Sequence, residues 1–169
     1  MNRVEAVAYQ KSLRGFADLN DWAAPHAVTL TLRQRLTLGT AAGVSLVWLT
    51  REAASQNYRH FLSLLSTSVL GKAATRFGRR VRSISVIEGG SGKRLHIHAV
   101  IDCPREDLVE QFPLMIEQAW LKTQWGFGQI DVQPDADRGW IDYISKFRDK
   151  PVYADAIDWE NCHNSDCRV

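Results

Sequence analysis

The sequence predicts an α+β fold: a ferredoxin-like antiparallel sheet, β-α-β-β-α-β in order, with helices backing one face and one further helix at the C-terminal end. Three observations predict it. Apolar residues recur at every second position from His26 to Leu36 and again from Arg94 to Asp102, the period of a half-buried strand. A long segment of helical period fills the middle of the chain. Between two strand-like segments, Gly89-Gly90-Ser91-Gly92-Lys93 reads as a hairpin loop. With 169 residues, 45% hydrophobic and 24% charged, the chain can bury one core but not two. Its scattered glycines and prolines exclude a fibrous or disordered chain.

The elements follow in order. Residues 1–25 lack periodicity and end on Trp22-Ala-Ala-Pro25, where the proline turns Ala24 away from helix, so they read as an arm on the domain. In the first strand Val28, Leu30, Leu32 and Leu36 fall on one side and Ala27, Thr29, Thr31, Arg33 and Arg35 on the other. Thr50 can cap a helix that repeats Tyr58, Phe61, Leu62, Leu65, Val69 and Leu70 and runs to about Phe77, interrupted near Gly71. Val81 to Glu88 and Arg94 to Asp102 are the two arms of the hairpin. Pro104 opens a helix to about Lys122 that presents Leu108, Phe112, Met115, Ile116 and Ala119 on one face, with a kink or restart at Pro113. Gly126 to Val132 is the fourth strand. A last helix spans about Asp137 to Arg148, with Trp140, Ile144 and Phe147 as its core stripe. Trp48, Trp120 and Trp140 are expected in the core, and residues 151–169 read as an acidic, disordered tail.

The longest apolar run, Ala41 to Leu49, is about half the length of a bilayer span, and the N-terminus lacks the apolar centre of a secretory signal. Cys103, Cys162 and Cys167 cannot all pair, and Cys162-His163 with Cys167 supply one soft ligand too few for a zinc knuckle. The expectation is a cytoplasmic, bacterial or mobile-element protein with free thiols and no membrane partner. The net charge of +2 is low for a bulk polyanion binder. It hides an asymmetry, since Lys72 to Arg94 carries seven basic residues against Glu88 alone. Any nucleic-acid face should therefore be local.

The densest chemistry lies in Leu95-His96-Ile97-His98-Ala99. Residues two apart on a strand share a face, so His96 and His98 project together while Leu95, Ile97, Ala99 and Ile101 fill the opposite side. Alone, such a pair is also what an ordinary surface strand carries. Centring the hairpin on Gly92, however, sets Glu88 opposite His96, on the same face. Two imidazoles and a carboxylate then converge as an open N/O ligand set suited to Mg²⁺ or Mn²⁺. On the last helix Tyr143 and Lys146 share a flank beside the core stripe. By themselves they read as an amphipathic helix's tyrosine and a solvated lysine. A tyrosine hydroxyl with a pKa of ~10 attacks at neutral pH only where a cation stabilises the developing charge.

Glu88, then His96-Ile-His98, then Tyr143-Ile-Ser-Lys146 45 residues later, resemble the HUH endonuclease superfamily, in particular the nuclease domains of single-tyrosine rolling-circle replication initiators. Val28-Thr-Leu-Thr-Leu32 is similar to the family's first motif, and the resemblance covers about Ala27 to Lys150. It implies an endonuclease domain over residues 26–150, with Glu88, His96 and His98 as metal ligands, Tyr143 as nucleophile and Lys146 as its catalytic partner. It further implies a single-stranded DNA or DNA-hairpin substrate at a replication origin, and host replication proteins as further partners. Contacts to that DNA are expected from Thr29, Thr31, Arg33, Arg79, Arg80, Arg82, Lys93 and Arg94.

The sequence departs from the family in a long interval between the first strand and the hairpin, and no segment after Lys150 matches the helicase domain of many eukaryotic viral initiators, which leads to the expectation of a stand-alone nuclease domain. Relaxases of the superfamily place their tyrosine before the histidines and usually add a third histidine. Position 147, one turn after Tyr143, is Phe, so one nucleophile is expected. Single-tyrosine transposases of the superfamily usually carry glutamine on the tyrosine helix, where this chain has Lys146. A ferredoxin-like nucleic-acid binding module with incidental histidines is the non-enzymatic alternative.

Overall fold

A computed structural model of the protein describes residues 3–90, 92–145 and 156–164. In chain order these form α1 (Arg3–Phe16), β1 (Pro25–Leu32), β2 (Arg35–Thr40), β3 (Gly43–Trp48), α2 (Arg51–Leu70), α3 (Lys72–Phe77), β4 (Ser83–Gly90), β5 (Lys93–Asp102), α4 (Phe112–Leu121), β6 (Gly126–Gln133) and α5 (Arg138–Ile144). The alternating segments become a four-stranded sheet of order β4-β5-β1-β6 with every neighbouring pair antiparallel, the ferredoxin-like arrangement the sequence predicts.

The period of two divides this sheet into a helix-covered face and a half-open one. Val28, Leu30 and Leu32 of β1 and Ile97, Ala99 and Ile101 of β5 meet Phe61, Leu62 and Leu65 of α2 and Phe112, Ile116 and Trp120 of α4 in the main core. On the other face Ile84, Val86 and Val100 pack with Ile141 and Ile144 of α5 and with Ala156 and Ile157. The crossover helices α2 and α4 thus back one face. The terminal helix α5 covers only part of the other and leaves the ends of β4 and β5 nearest their hairpin uncovered.

Local signals set the boundaries. Thr50 caps α2 by accepting a hydrogen bond from the Ala53 amide, and Gly71, at a positive φ, separates α2 from α3. The helix expected from Pro104 starts only at Phe112, with Pro113 in its first turn where a missing amide hydrogen does no harm, after a single 3₁₀ turn at Glu106–Leu108. Asp137 caps α5 through the Trp140 amide.

Three features were not foreseen. The arm forms the 14-residue helix α1, which meets α5 through the Arg14–Asp142 ion pair (2.7 Å) and a Gln10 hydrogen bond to the Ser145 carbonyl. The long interval after β1 is taken up by β2 and β3, a separate two-stranded ribbon. Finally, the disordered tail expected after residue 150 is incorrect for residues 156–164. They lie along the β4 edge, with hydrogen bonds from Ile87 N to the Ala156 carbonyl (2.8 Å), from Asp158 N to the Ser85 carbonyl (3.0 Å), and in both directions between Ser83 and His163. The physical reason is that an outer strand presents unpaired amides and carbonyls that an adjoining segment can satisfy. Buried Asn161 locks the segment by donating to Asp158 (2.7 Å) and Ser55. Among the described residues no helix is long and apolar enough to cross a membrane.

Candidate active site

The site grows out of the β4–β5 register. Glu88 pairs with His96, as the Gly92-centred hairpin requires, and the ladder shifts immediately afterwards, between Glu88 and Gly90. Gly89 makes that shift at φ +108°, with its Cα so close to the Arg94 carbonyl and Leu95 that a Cβ would collide with the strand. The bulge therefore lets the loop close without moving Glu88 off the histidine face.

Glu88, His96 and His98 each direct one ligand atom to a common point, all three atoms within 4.8 Å of one another. Glu88 Oε2 stands 3.8 Å from Nε2 of His96 and 3.8 Å from Nε2 of His98. Two ligand bonds of about 2.1 Å each span up to about 4.2 Å, so one ion fits between these donors with little movement. The opposite ring nitrogens are already engaged. His96 Nδ1 lies 3.1 Å from the Arg94 carbonyl, which can only accept, so Nδ1 carries the proton and Nε2 presents its lone pair to Glu88. His98 Nδ1 lies 3.0 Å from the Thr29 hydroxyl, an acceptor that permits the same tautomer. Fixing imidazoles through the nitrogen remote from the metal is how ligand histidines are oriented.

Helix α5 supplies the roof. Trp140 donates its indole N–H to the Ala99 carbonyl (2.9 Å), anchoring the helix over β5, and Tyr143 stacks on Trp140 with ring centroids 5.2 Å apart. The Tyr143 ring meets His98 edge-on at 5.4 Å while remaining 45% exposed. Ile141 and Ile144 form the buried side of the helix; Trp140, expected with them, is half-buried because its ring spreads over His98 instead. Phe147 and Lys146 lie outside the described residues.

The expected DNA contacts separate into distinct groups. Thr29 is the hydroxyl beside His98, and Thr31 donates to the Gln129 carbonyl on the same sheet face. Arg33 donates to the Gly126 carbonyl, and the Arg94 guanidinium sits 5.7 Å from the Phe127 ring. Arg33, Lys93 and Arg94 are all exposed at the hairpin end of the sheet. Arg80 is elsewhere, bonded to Ser63 on α2, and the exposed Arg79 precedes it. The expectation fails at Arg82. It is 4% exposed, paired with Asp21 (3.1 Å), bonded to Asn164 and stacked 4.7 Å over Trp22, so its charge ties the segment after α1 to β4. Sequence reasoning missed the role of Thr29 against His98, although the alternation that put both on one face was visible.

A family model of replication-associated proteins of the ORF2 type matches residues 25–151, which include every one of these site residues. The chain belongs to this replication-associated protein family. Comparison with curated proteins and with solved structures finds no match. The family assignment gives replication-associated function and a DNA partner, and it agrees with the resemblance to rolling-circle initiators. The matched region in this replication-associated protein begins at β1 and extends beyond α5, so α1 and residues 156–164 lie outside it.

Proposed function

We propose that this replication-associated protein nicks and rejoins single-stranded DNA at a replication origin and starts rolling-circle synthesis through a 5′-phosphotyrosine link. The observation that carries the reading is the placement of an exposed tyrosine ring 5.4 Å from a histidine of a three-donor N/O cluster. Glu88, His96 and His98 would hold Mg²⁺ or Mn²⁺, which when bound supplies Lewis acidity to the scissile phosphate.

The remaining steps belong to the chain. Trp140 holds the Tyr143 ring by stacking, so the hydroxyl approaches phosphorus from a fixed direction, the geometric requirement of an in-line displacement. A bond forms between Tyr143 Oη and phosphorus as the bond from phosphorus to the 3′ oxygen breaks; the proton leaves Oη to solvent, and the departing oxygen takes one up as a 3′ hydroxyl. The phosphotyrosine retains the energy of the cleaved diester, so attack by a 3′ hydroxyl reverses the step without a nucleotide cofactor. Lys146 would bind the scissile phosphate or stabilise the tyrosinate. Arg33, Lys93 and Arg94 would contact neighbouring phosphates.

Incubation with single-stranded origin hairpins and Mn²⁺, followed by a denaturing gel, tests the proposal. Wild type should give a covalent protein–DNA band, and Tyr143→Phe should give none while still binding DNA. Binding without an adduct in wild type would favour the non-enzymatic module. An adduct in the Tyr143→Phe protein would move the nucleophile elsewhere.

A further inference from the structure

The β2–β3 ribbon contradicts one expectation from the sequence, and that contradiction is informative. Trp48, expected in the core, is 61% exposed. In the ribbon register Arg35 pairs with Trp48, Thr37 with Leu46 and Gly39 with Val44. These residues share one face, while Leu36 and Val47 on the other pack against the main core. The outward face therefore presents Trp48, Leu46 (49% exposed) and Val44 (77% exposed) in a row, with the Arg35 guanidinium 6.0 Å from the Trp48 ring. A face of this kind on a protein surface marks a contact.

Position and charge identify the partner. Gln34 at the root of the ribbon bonds to Leu95 through both its amide nitrogen and its oxygen, and Arg51, just past β3, donates to the Ile87 carbonyl (2.9 Å), the residue before Glu88. The ribbon thus springs from the end of the sheet that holds the metal donors. Its root is ringed by Arg33, Arg35, Arg51, Lys93 and Arg94, while the β2–β3 segment contains no acidic residue. A row of apolar and aromatic side chains bordered by cations suits unpaired bases on a phosphate backbone, where rings stack and guanidiniums meet phosphate. It is less suited to a protein partner, which would have to answer this ring of cations with its own acids.

We infer that the β2–β3 ribbon is a second DNA-binding element, on which Trp48 and Leu46 hold unpaired bases of the strand that crosses the histidine site. This rests on the reading of single-stranded DNA as substrate, and it names how the strand is gripped away from the cut.

The test separates grip from chemistry. Binding of a fluorescent single-stranded oligothymidine is measured by anisotropy without metal, and the rate of adduct formation is measured at saturating origin DNA with Mn²⁺. Trp48→Ala and Leu46→Ser are each expected to weaken binding roughly tenfold, the scale of one lost base stack, and to leave the saturated adduct rate unchanged. Trp48→Phe should retain most of the affinity. Val44→Ser, a small change at the most exposed position, serves as a second variant should Trp48→Ala unfold. Unchanged affinity in the Trp48 and Val44 variants overturns the inference, as does a change of solution mass showing that the face binds a second copy. Loss of adduct in wild type with intact binding refutes the nicking reading and leaves the ribbon test standing.

Discussion

At the scale of single residues, the Thr29 hydroxyl is the least conspicuous part of the site and a sensitive one. It lies 3.0 Å from His98 Nδ1, and outer partners of ligand histidines typically carry about 10- to 100-fold of metal affinity. Thr29→Val should weaken Mn²⁺ binding by that order in calorimetric titration, and Thr29→Ser should restore it; equal affinities would reduce Thr29 to a strand residue. His26 offers a second measurement, away from the donors. Burial, opposed by its hydrogen bond to the Ala24 carbonyl and by Asp135 and Asp102, lowers its pKa below 6.5. As pH falls below about 6.5 the unfolded chain gains a proton that the folded chain resists, so His26 destabilises the fold progressively until its own lower pKa is reached. His26→Gln should flatten the decline of melting temperature between about pH 7 and pH 5. An unaltered slope would show that His26 is not responsible. The donors themselves were legible in the sequence because the strand period fixes which side chains share a face. Burial of Arg82 was not, since the partners that neutralise it, Asp21 and Asn164, come from distant parts of the chain.

At the scale of elements, one glycine governs whether the donors converge. Gly89 takes a φ that side chains rarely adopt, and a Cβ there would meet the Arg94 carbonyl. Gly89→Ala should cost about 1–3 kcal/mol of stability from backbone strain. It should also weaken Mn²⁺ binding more than an equally destabilising core variant does, because relief of the clash moves Glu88 relative to His96. Proportional losses in both variants would argue against a register role. Every strand of the main sheet and the break at Gly71 could be read from periodicity and glycine placement. The ribbon could not, because its apolar residues imitate a buried strand, and only the solvent-facing side of a two-stranded sheet leaves such residues uncovered. The helix α1 escaped for the opposite reason: its mixed surface is completed by a polar meeting with α5, through Arg14 and Gln10, that no local pattern announces.

At the scale of the whole molecule, the fold closes on itself when residues 156–164 cover the β4 edge. Ile157 is buried between β4 and the small core, and Ile157→Ala should lower stability by about 2–4 kcal/mol, as for other buried aliphatic truncations, measurable by denaturant unfolding. A loss under ~1 kcal/mol would mean that the segment rests on the edge without supporting it. The sequence disguised this closure because an acidic, cysteine-containing stretch resembles a free tail, whereas its acid Asp158 and its Asn161 are spent on internal hydrogen bonds. The β4–β5 hairpin carries a further consequence, in the order of assembly. All three metal donors fall between positions 88 and 98, on one local hairpin that needs no distant contact to form, while the tyrosine above them arrives only with α5. Local contacts form early and non-local ones late. A growing or half-folded chain can therefore collect its ion well before it possesses a nucleophile, and the capacity to cut DNA appears only when the domain is complete.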